Sequence, residues 1–200
     1  MIRILLVRHG STELLGRVLY GRLPGALLSA AGREEAKRLA VAIGERWQLQ
    51  QVLSSPLERT QETAQFIAQA QGLSVATEEG INEIDFGSWM GKTFDELHNL
   101  EEWKRYNQVR SLVCPPGGES MTQVQARAWA ALERIMRNAQ PGEKPVAVVS
   151  HGDVIRGLLL LLLGMPIDHI HRIEVACASV SEILHVPDQH PRVVSINQTF

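Results

Sequence analysis

The sequence has few cysteines and no hydrophobic run long enough to cross a bilayer. Only Cys114 and Cys177 occur among its 200 residues, far apart and without other candidate metal ligands beside them. This excludes a disulfide framework and a zinc pattern, and it favours a reducing, cytoplasmic location. The longest apolar run, residues 157–165 with six leucines, is too short for a membrane span. We expect a buried helix there. No signal peptide is expected, because the chain opens directly on an apolar strand.

The sequence also has no block of like charges. It holds 20 basic and 22 acidic residues, for a formal net charge of −2. Without a lysine-rich or arginine-rich run, neither nucleic acid nor an anionic membrane is expected as a partner. The basic residues stand singly at the ends of apolar runs. This placement favours a small anion as the ligand.

Length and composition favour one domain. A chain of 200 residues that is 44% hydrophobic can bury one sizeable core. We expect a single domain over 1–200, with a cap or insertion around 82–118, where the pattern becomes rich in turns. Strands are predicted at 2–7, 51–53, 75–77, 145–150, 171–176, 179–186 and 193–196. Helices are predicted at 31–47, 56–71, 93–109, 120–138 and 153–163. Ser55 is expected to cap the second helix.

Two near-pure apolar strands end in a histidine followed by glycine. The first ends at His9 and the second at His151. Such runs are typical of buried parallel strands, and open α/β sheets bind ligands beyond the carboxyl ends of their strands. If the two strands are neighbours, the histidines meet at one edge, within reach of Arg8 and Arg59. Two guanidinium groups, two imidazoles and helix N-termini suit a compact dianion such as phosphate, and a neutral imidazole can act as a nucleophile.

A phosphoester also needs a proton donor for its leaving alcohol. Glu83 is the candidate, since its apolar neighbours Ile84 and Phe86 would raise its pKa, and Asp85 is the rival. Glu119 precedes the helix that opens at Ser120. We expect it to cap that helix, with a substrate contact as the alternative.

Five motifs carry a resemblance that covers nearly the whole chain. They are Leu6-Val7-Arg8-His9-Gly10-Ser11-Thr12, the stretch from Ser54 to Ala64, Asn82-Glu83-Ile84-Asp85-Phe86-Gly87-Ser88-Trp89, Gly117-Gly118-Glu119-Ser120, and the stretch from Val148 to Arg156. In this order and spacing, the chain resembles the phosphoglycerate-mutase-like branch of the histidine phosphatase superfamily.

The resemblance implies an α/β fold, a three-layer α/β/α sandwich with a mostly parallel sheet and a small cap insertion. It implies a phosphomonoesterase in which His9 becomes phosphorylated and Arg8, Arg59 and His151 hold the phosphoryl group. Glu83 would then act as the acid and later as the base. No metal and no cofactor are implied, and the partner would be a small phosphorylated metabolite.

The same resemblance marks residues expected to bind substrate beside Arg8 and Arg59. They are Ser11, Thr12, Tyr20, Gly21, Arg22 and Gly152. The chain departs from the family at Leu15, where many members carry an asparagine in the phosphate pocket. We therefore expect an apolar mouth and a substrate with little charge beyond its phosphate, or one held partly by apolar contact. Arg22 would oppose this expectation if it bound a second anionic group.

Several alternatives stay open at this point. A phosphoglycerate mutase would share the core motifs, and a non-catalytic phospho-ligand module would share the fold. A metal-dependent hydrolase would use the histidines as ligands, but the chain lacks a spacing such as His-Glu-x-x-His. His169 and His171 are two residues apart, and a solvated loop explains them better than a metal site. A homodimer through the C-terminal edge strands or the leucine helix is compatible with the sequence.

Overall fold

A six-stranded sheet forms the centre of the protein. The computed structural model describes residues 1–200. The strands are β1 (Ile2–Arg8), β2 (Gln51–Ser54), β3 (Val75–Thr77), β4 (Val146–Ser150), β5 (Val180–His185) and β6 (Arg192–Gln198). Their order is β3-β2-β4-β1-β5-β6. The first four strands in this order run parallel, whereas β5 and β6 each pair antiparallel with their neighbours. The predicted α/β fold with a mostly parallel sheet is confirmed.

Helices cover both faces of this sheet. They are α1 (Ala30–Arg46), α2 (Glu58–Gln71), α3 (Phe94–His98), α4 (Glu101–Gln108), α5 (Met121–Asn138) and α6 (Gly152–Leu162), with 3₁₀ turns at Glu79–Ile81, Gly87–Trp89 and Ile167–Arg172. The buried side chains of α1 and α2 pack with one face of the sheet, and those of α5 and α6 pack with the other. The result is the expected three-layer sandwich.

The apolar run of β1 divides between the two faces. Leu5 and Val7 pack with α1 and α2, whereas Ile4 and Leu6 pack with α5 and α6. Because successive strand side chains point to opposite faces, a stretch of strand covered on both sides favours apolar residues at successive positions. This explains why the chain is apolar from Ile4 to Val7 and turns polar where the sheet ends.

The N-terminus of α1 is packed tightly against the chain just after β1. Ser29 caps α1, and its Oγ accepts a hydrogen bond of 3.0 Å from the Gly32 N–H. A Cβ on Gly10 would lie 2.5 Å from the Gly32 carbonyl oxygen, and a Cβ on Gly32 would overlap the Ser11 carbonyl oxygen. Two glycines therefore let backbone meet backbone directly beside His9.

Three predicted elements were wrong in detail. The second helix begins at Glu58 rather than Pro56, with Leu57 as its N-cap and no capping side chain. The helix expected over 93–109 is broken into α3 and α4 by extended backbone at Leu100. The segment expected as a strand over 171–176 contains the end of a 3₁₀ turn and then irregular backbone.

The leucine run forms α6, which is only partly buried. Leu158, Leu159 and Leu160 are buried, while Leu161 and Leu163 are exposed. A helix resting on one side of a sheet buries only the stripe that faces the sheet. The expectation of a fully buried helix was therefore wrong. No helix of the protein combines the length and apolar character that crossing a membrane requires.

Candidate active site

Strand register brings the two histidines together. Arg8 of β1 pairs with Ser150 of β4, so His9 and His151 are the next residues along two parallel neighbours. The His9 N–H donates to the Ser150 carbonyl oxygen at 3.1 Å, and the two imidazole centroids are 5.3 Å apart. The adjacency expected from the sequence is observed at the carboxyl edge of the sheet.

His9 is buried and held in one tautomer. Its Nδ1 lies 2.8 Å from the Gly10 carbonyl oxygen. Because a carbonyl oxygen can only accept, Nδ1 carries the hydrogen and Nε2 keeps its lone pair. Burial, together with the positive charges of Arg59 and Arg8, holds the pKa of His9 well below its usual range. The ring is therefore a neutral imidazole at physiological pH, the form a nucleophile requires.

His151 is fully buried and lies between a serine and a carboxylate. Its Nε2 is 2.7 Å from the Ser55 Oγ, and its Nδ1 is 3.5 Å from the Glu83 Oε2. Burial, followed by the nearby charge of Arg59, lowers its pKa well below the usual range. Ser55 was expected to cap α2. The structure instead places its hydroxyl on His151, a role that sequence reasoning missed.

Arg8 and Arg59 each have N–H groups left over for an anion. Arg8 donates from Nη1 to the Val175 carbonyl oxygen at 2.6 Å, and Arg59 donates from Nη2 to the Gly21 carbonyl oxygen at 2.9 Å. The Arg8 Nε and the Arg59 Nη1 are buried and have no hydrogen-bond partner within the protein. A buried donor without a partner is costly, so these groups favour a negatively charged ligand.

Glu83 is the carboxyl group nearest this chemistry. Its Oε1 accepts from the Ile84 N–H at 3.0 Å, and its Oε2 lies 3.8 Å from the Arg59 Nη2. Burial raises the pKa of Glu83 to about 7, although Arg59 opposes the shift. Near neutral pH it can therefore both give and take a proton. The rival Asp85 accepts from the Gly87 N–H at 2.9 Å and does not line the cavity described next.

One cavity of about 390 Å³ collects these groups. Arg8, His9, Arg59 and Glu83 line it, and His151 lies just behind them. Of the residues expected to bind substrate, a further four also line it: Thr12, Tyr20, Gly21 and Gly152.

Two residues expected at the substrate lie elsewhere. Ser11 donates from its backbone N–H and its hydroxyl to Glu35, at 2.8 and 2.9 Å. Arg22 donates from Nε to the Glu83 carbonyl oxygen at 2.7 Å and from Nη2 to the Glu119 carboxylate at 3.0 Å. Neither residue lines the cavity. The Glu35 carboxylate binds Ser11, and the Glu119 carboxylate binds Arg22.

The cavity is lined by both apolar and polar side chains. Leu15, Val18 and Phe94 give the apolar character expected from the sequence. The lining also includes polar groups that were not anticipated, among them Arg110 and His171. Arg110 is buried and donates to Asp153 at 2.7 Å. The sequence analysis did not predict Arg110 and His171 as site residues, because both lie outside the five motifs. No three histidine, cysteine, aspartate or glutamate side chains within 1–200 form a metal-binding cluster.

Glu119 neither caps the next helix nor lines the cavity. The capping box of α5 is made by Ser120 and Gln123 instead. The Glu119 carboxylate binds Arg22 and Arg127. The expectation that Glu119 caps this helix was therefore wrong.

An α/β sandwich with two buried histidines and two arginines at the carboxyl edge of its sheet is an arrangement suited to a compact anion. A family model described as "Histidine phosphatase superfamily (branch 1)" matches residues 4–199. The chain belongs to the histidine phosphatase superfamily, as its motifs indicated.

Curated relatives are about one third identical to this chain over the aligned residues. A bifunctional protein of Mycobacterium tuberculosis is 34% identical over 199 residues, which cover 98% of this chain and 54% of that protein. The chain thus spans about half the length of the first relatives it matches. Phosphoserine phosphatase 1 of Hydrogenobacter thermophilus is 32% identical, covering 100% of this chain and 93% of that protein. A probable phosphoglycerate mutase of Salmonella paratyphi B is 32% identical, covering 92% and 85%.

Solved structures agree with this assignment. A mycobacterial glucosyl-3-phosphoglycerate phosphatase superimposes with a TM-score of 0.87 and 25% identity, covering 100% of both chains. The fold and the order of its elements are therefore those of known phosphatases.

Proposed function

We propose that this chain is a phosphomonoesterase that hydrolyses a small phosphorylated metabolite through a phosphohistidine at His9. The observation that best supports this proposal is the tautomer and protonation of His9. This side chain is a buried neutral imidazole with a free Nε2 lone pair, in a cavity that also holds Arg8, Arg59 and a carboxyl group of pKa about 7. The mechanism uses no metal ion and no cofactor.

In the first step, the His9 Nε2 attacks phosphorus while the bond to the ester oxygen breaks. Glu83, protonated, gives its proton to the departing alkoxide, and the alcohol leaves. Arg8 and Arg59 bind the phosphoryl oxygens through the N–H groups that have no partner in the protein. Phosphoryl transfer gains most of its rate from such positioning and charge stabilisation.

In the second step, a water molecule gives a proton to the Glu83 carboxylate as its oxygen attacks phosphorus. The N–P bond breaks, inorganic phosphate is released, and His9 returns to its neutral form. Glu83 ends protonated and ready for the next cycle. A carboxyl group with a pKa near 7 suits both directions of this transfer, because neither form is strongly favoured.

Cavity size and lining support a small metabolite as the substrate. A volume of about 390 Å³ falls in the usual range for small-molecule sites. Relatives named as phosphoserine phosphatase and glucosyl-3-phosphoglycerate phosphatase act on such compounds by name. Because apolar Leu15 and cationic Arg110 both line the cavity, the lining favours a leaving group with apolar and polar surface.

We further propose that segment 82–118 is the cap of a single domain. Phe86, Phe94, Trp103 and Arg110 belong to this segment, and all line the cavity. Val18 in the loop after β1 forms an isolated bridge with Thr93, which ties the two walls of the entrance together. A cytoplasmic location is inferred from the two free cysteines. The homodimer stays a prediction.

Release of inorganic phosphate tests this function. A panel of phosphomonoesters, including phosphoserine, phosphoglycerates and sugar phosphates, is incubated with wild type and His9→Ala in the presence of a chelator. We expect release by wild type that resists the chelator and disappears in the variant. The ranking of esters identifies the substrate.

Three other results would contradict the proposal. Exchange between phosphoglycerates without net release would identify a mutase, the function that the Salmonella relative's name favours. Binding of esters without turnover by folded wild type would identify a non-catalytic module. Release abolished by the chelator would require a metal ion.

A further inference from the structure

The backbone carbonyl oxygen of Glu83 is held by two cations. Arg22 donates to it from Nε at 2.7 Å, and Arg127 donates from Nη2 at 3.0 Å. Arg22 comes from the entrance loop after β1, whereas Arg127 comes from α5. Two charge-assisted hydrogen bonds on one oxygen fix the main chain of this residue firmly.

Both cations converge on one carboxylate, that of Glu119. The Arg22 Nη2 is 3.0 Å from Oε2, and Arg127 makes a two-pronged contact, with Nε 2.7 Å from Oε1 and Nη2 2.9 Å from Oε2. Without a negative charge between them, the two guanidinium groups would repel each other at their shared acceptor. Glu119 removes that repulsion.

The main chain around Glu119 is also fastened to the turn after Glu83. The Glu119 N–H donates to the Asp85 carbonyl oxygen at 2.8 Å, and the Ser88 N–H donates to the Pro116 carbonyl oxygen at 3.0 Å. A Cβ on Gly118 would overlap the Asp85 carbonyl oxygen. The Gly-Gly-Glu motif therefore fits a close backbone contact that presents the carboxylate to both arginines.

We propose that Glu119 is a positioning residue: it holds Arg22 and Arg127 together on the Glu83 carbonyl oxygen and so fixes the proton-donating carboxyl group in the cavity. The role rests on the proposed function, in which Glu83 is the acid and base. Glu119 acts through the two arginines, since it does not line the cavity itself. The same contacts tie the entrance loop to the catalytic carboxyl group.

This arrangement has an electrostatic signature. Several other titratable or charged groups act electrostatically on Glu83: Arg8 of β1, Arg59 of α2, Tyr106 of α4, Arg110 after it, and His151 and Asp153 around the start of α6. None of these groups is substituted in the variants of the network. Removing the Glu119 charge leaves the arginines uncompensated, which favours ionised Glu83. Removing an arginine has the opposite effect.

Titration of the Glu83 carboxyl carbon by NMR, assigned through Glu83→Gln, tests this role in folded protein with or without catalytic activity. We expect its pKa to fall by about half a unit in Glu119→Gln and to rise by a similar amount in Arg127→Gln. Glu62→Gln serves as the matched control, because it breaks the Arg33–Glu62 ion pair between α1 and α2. It should leave the titration of Glu83 unchanged.

Kinetics provide the second measurement. In Glu119→Gln, kcat should fall roughly tenfold with KM within about twofold, and the alkaline limb of kcat should move to lower pH. Shifts of the same sign in Glu119→Gln and Arg127→Gln, or no shift in either, would overturn the proposal. If Glu119→Gln does not fold, Arg22→Gln replaces it and should raise the pKa of Glu83 as Arg127→Gln does. In that case an unchanged or lowered pKa in either arginine variant would overturn the proposal. A wild type that releases no phosphate but shows the opposed shifts would overturn only the proposed function.

Discussion

The Ser55 hydroxyl lies 2.7 Å from the His151 Nε2, at the point where β2 and β4 end side by side. This contact leaves the opposite nitrogen, Nδ1, directed at the Glu83 carboxylate at 3.5 Å. A residue that resembles a helix cap in the sequence thus orients the second histidine of the site.

Loss of this contact should slow catalysis. In Ser55→Ala the His151 ring keeps its burial but loses the partner of Nε2, and a buried polar group without a partner costs about 1–3 kcal/mol. We expect kcat to fall roughly tenfold. Steady-state kinetics check this, with Ser54→Ala as the control, since the hydroxyl of Ser54 bonds only to a backbone carbonyl oxygen. Equal losses in both variants would contradict a specific role for Ser55.

The Glu83 carboxyl group should reduce stability at alkaline pH. Its pKa is about 7 in the folded protein against about 4.3 in the unfolded chain, so between these values the folded state binds more protons. The contribution of this group to the free energy of unfolding is therefore fully present below about pH 4. It decreases as pH rises and is lost above about pH 7. The loss amounts to about 4 kcal/mol.

Glu83→Gln removes this titration while keeping the shape of the side chain. The variant should gain stability relative to wild type as pH rises from 5 to 8, and it should lose phosphate release. Denaturant unfolding at several pH values measures the difference. A constant difference across this range would show that Glu83 has an ordinary pKa.

Arg59 should be irreplaceable even by lysine. Its Nη2 is committed to the Gly21 carbonyl oxygen while its Nη1 is unpartnered, and a lysine ammonium cannot reproduce this fork. We expect Arg59→Lys to lower kcat/KM roughly 100- to 1,000-fold, as for other lost charge-stabilising donors. Arg33→Lys, which alters a surface ion pair, is the control. Retention of more than a tenth of wild-type kcat/KM would count against this role.

Two glycines of α1 should respond in opposite directions to alanine. Gly32→Ala would press a methyl group into the Ser11 carbonyl oxygen, and overpacking of this kind costs about 1–3 kcal/mol. Gly44→Ala meets only the end of the Gln71 side chain at 3.6 Å and should stabilise the helix by about 0.5–1 kcal/mol. Thermal unfolding distinguishes the two. A neutral Gly32→Ala would mean that α1 can move away from the His9 loop.

The sequence predicted those parts of the site that depend on strand ends. Val7-Arg8-His9 and Val149-Ser150-His151 mark where buried strands become polar, and parallel pairing then places both histidines at one edge. Such patterns are visible in the local sequence, and pairing of the two strands in the sheet brings the residues that follow them into contact. Glu83 was predicted from a different local pattern, its apolar neighbours Ile84 and Phe86.

Residues that act through distant partners were harder to identify. Arg22 and Glu119 are 97 positions apart, and nothing in either local sequence reports their ion pair. Arg110 reaches the cavity from the loop after α4 and His171 from the 3₁₀ turn Ile167–Arg172, and the path of both segments depends on tertiary packing. Packing also accompanies the break between α3 and α4, across which Phe94 of α3 lies against Trp103 of α4 with ring centroids 6.1 Å apart. A single sequence carries little signal for contacts of this range.

Trapping the covalent intermediate tests the central claim most directly. Wild type is mixed with a ³²P-labelled ester identified by the release assay, quenched in alkali within milliseconds to seconds, and digested for peptide mapping. The account predicts label on the peptide that contains His9, stable in alkali, lost in acid, and absent from His9→Ala. Turnover by wild type with no alkali-stable label under these conditions, or label on His151 instead, would contradict nucleophilic attack by the His9 Nε2.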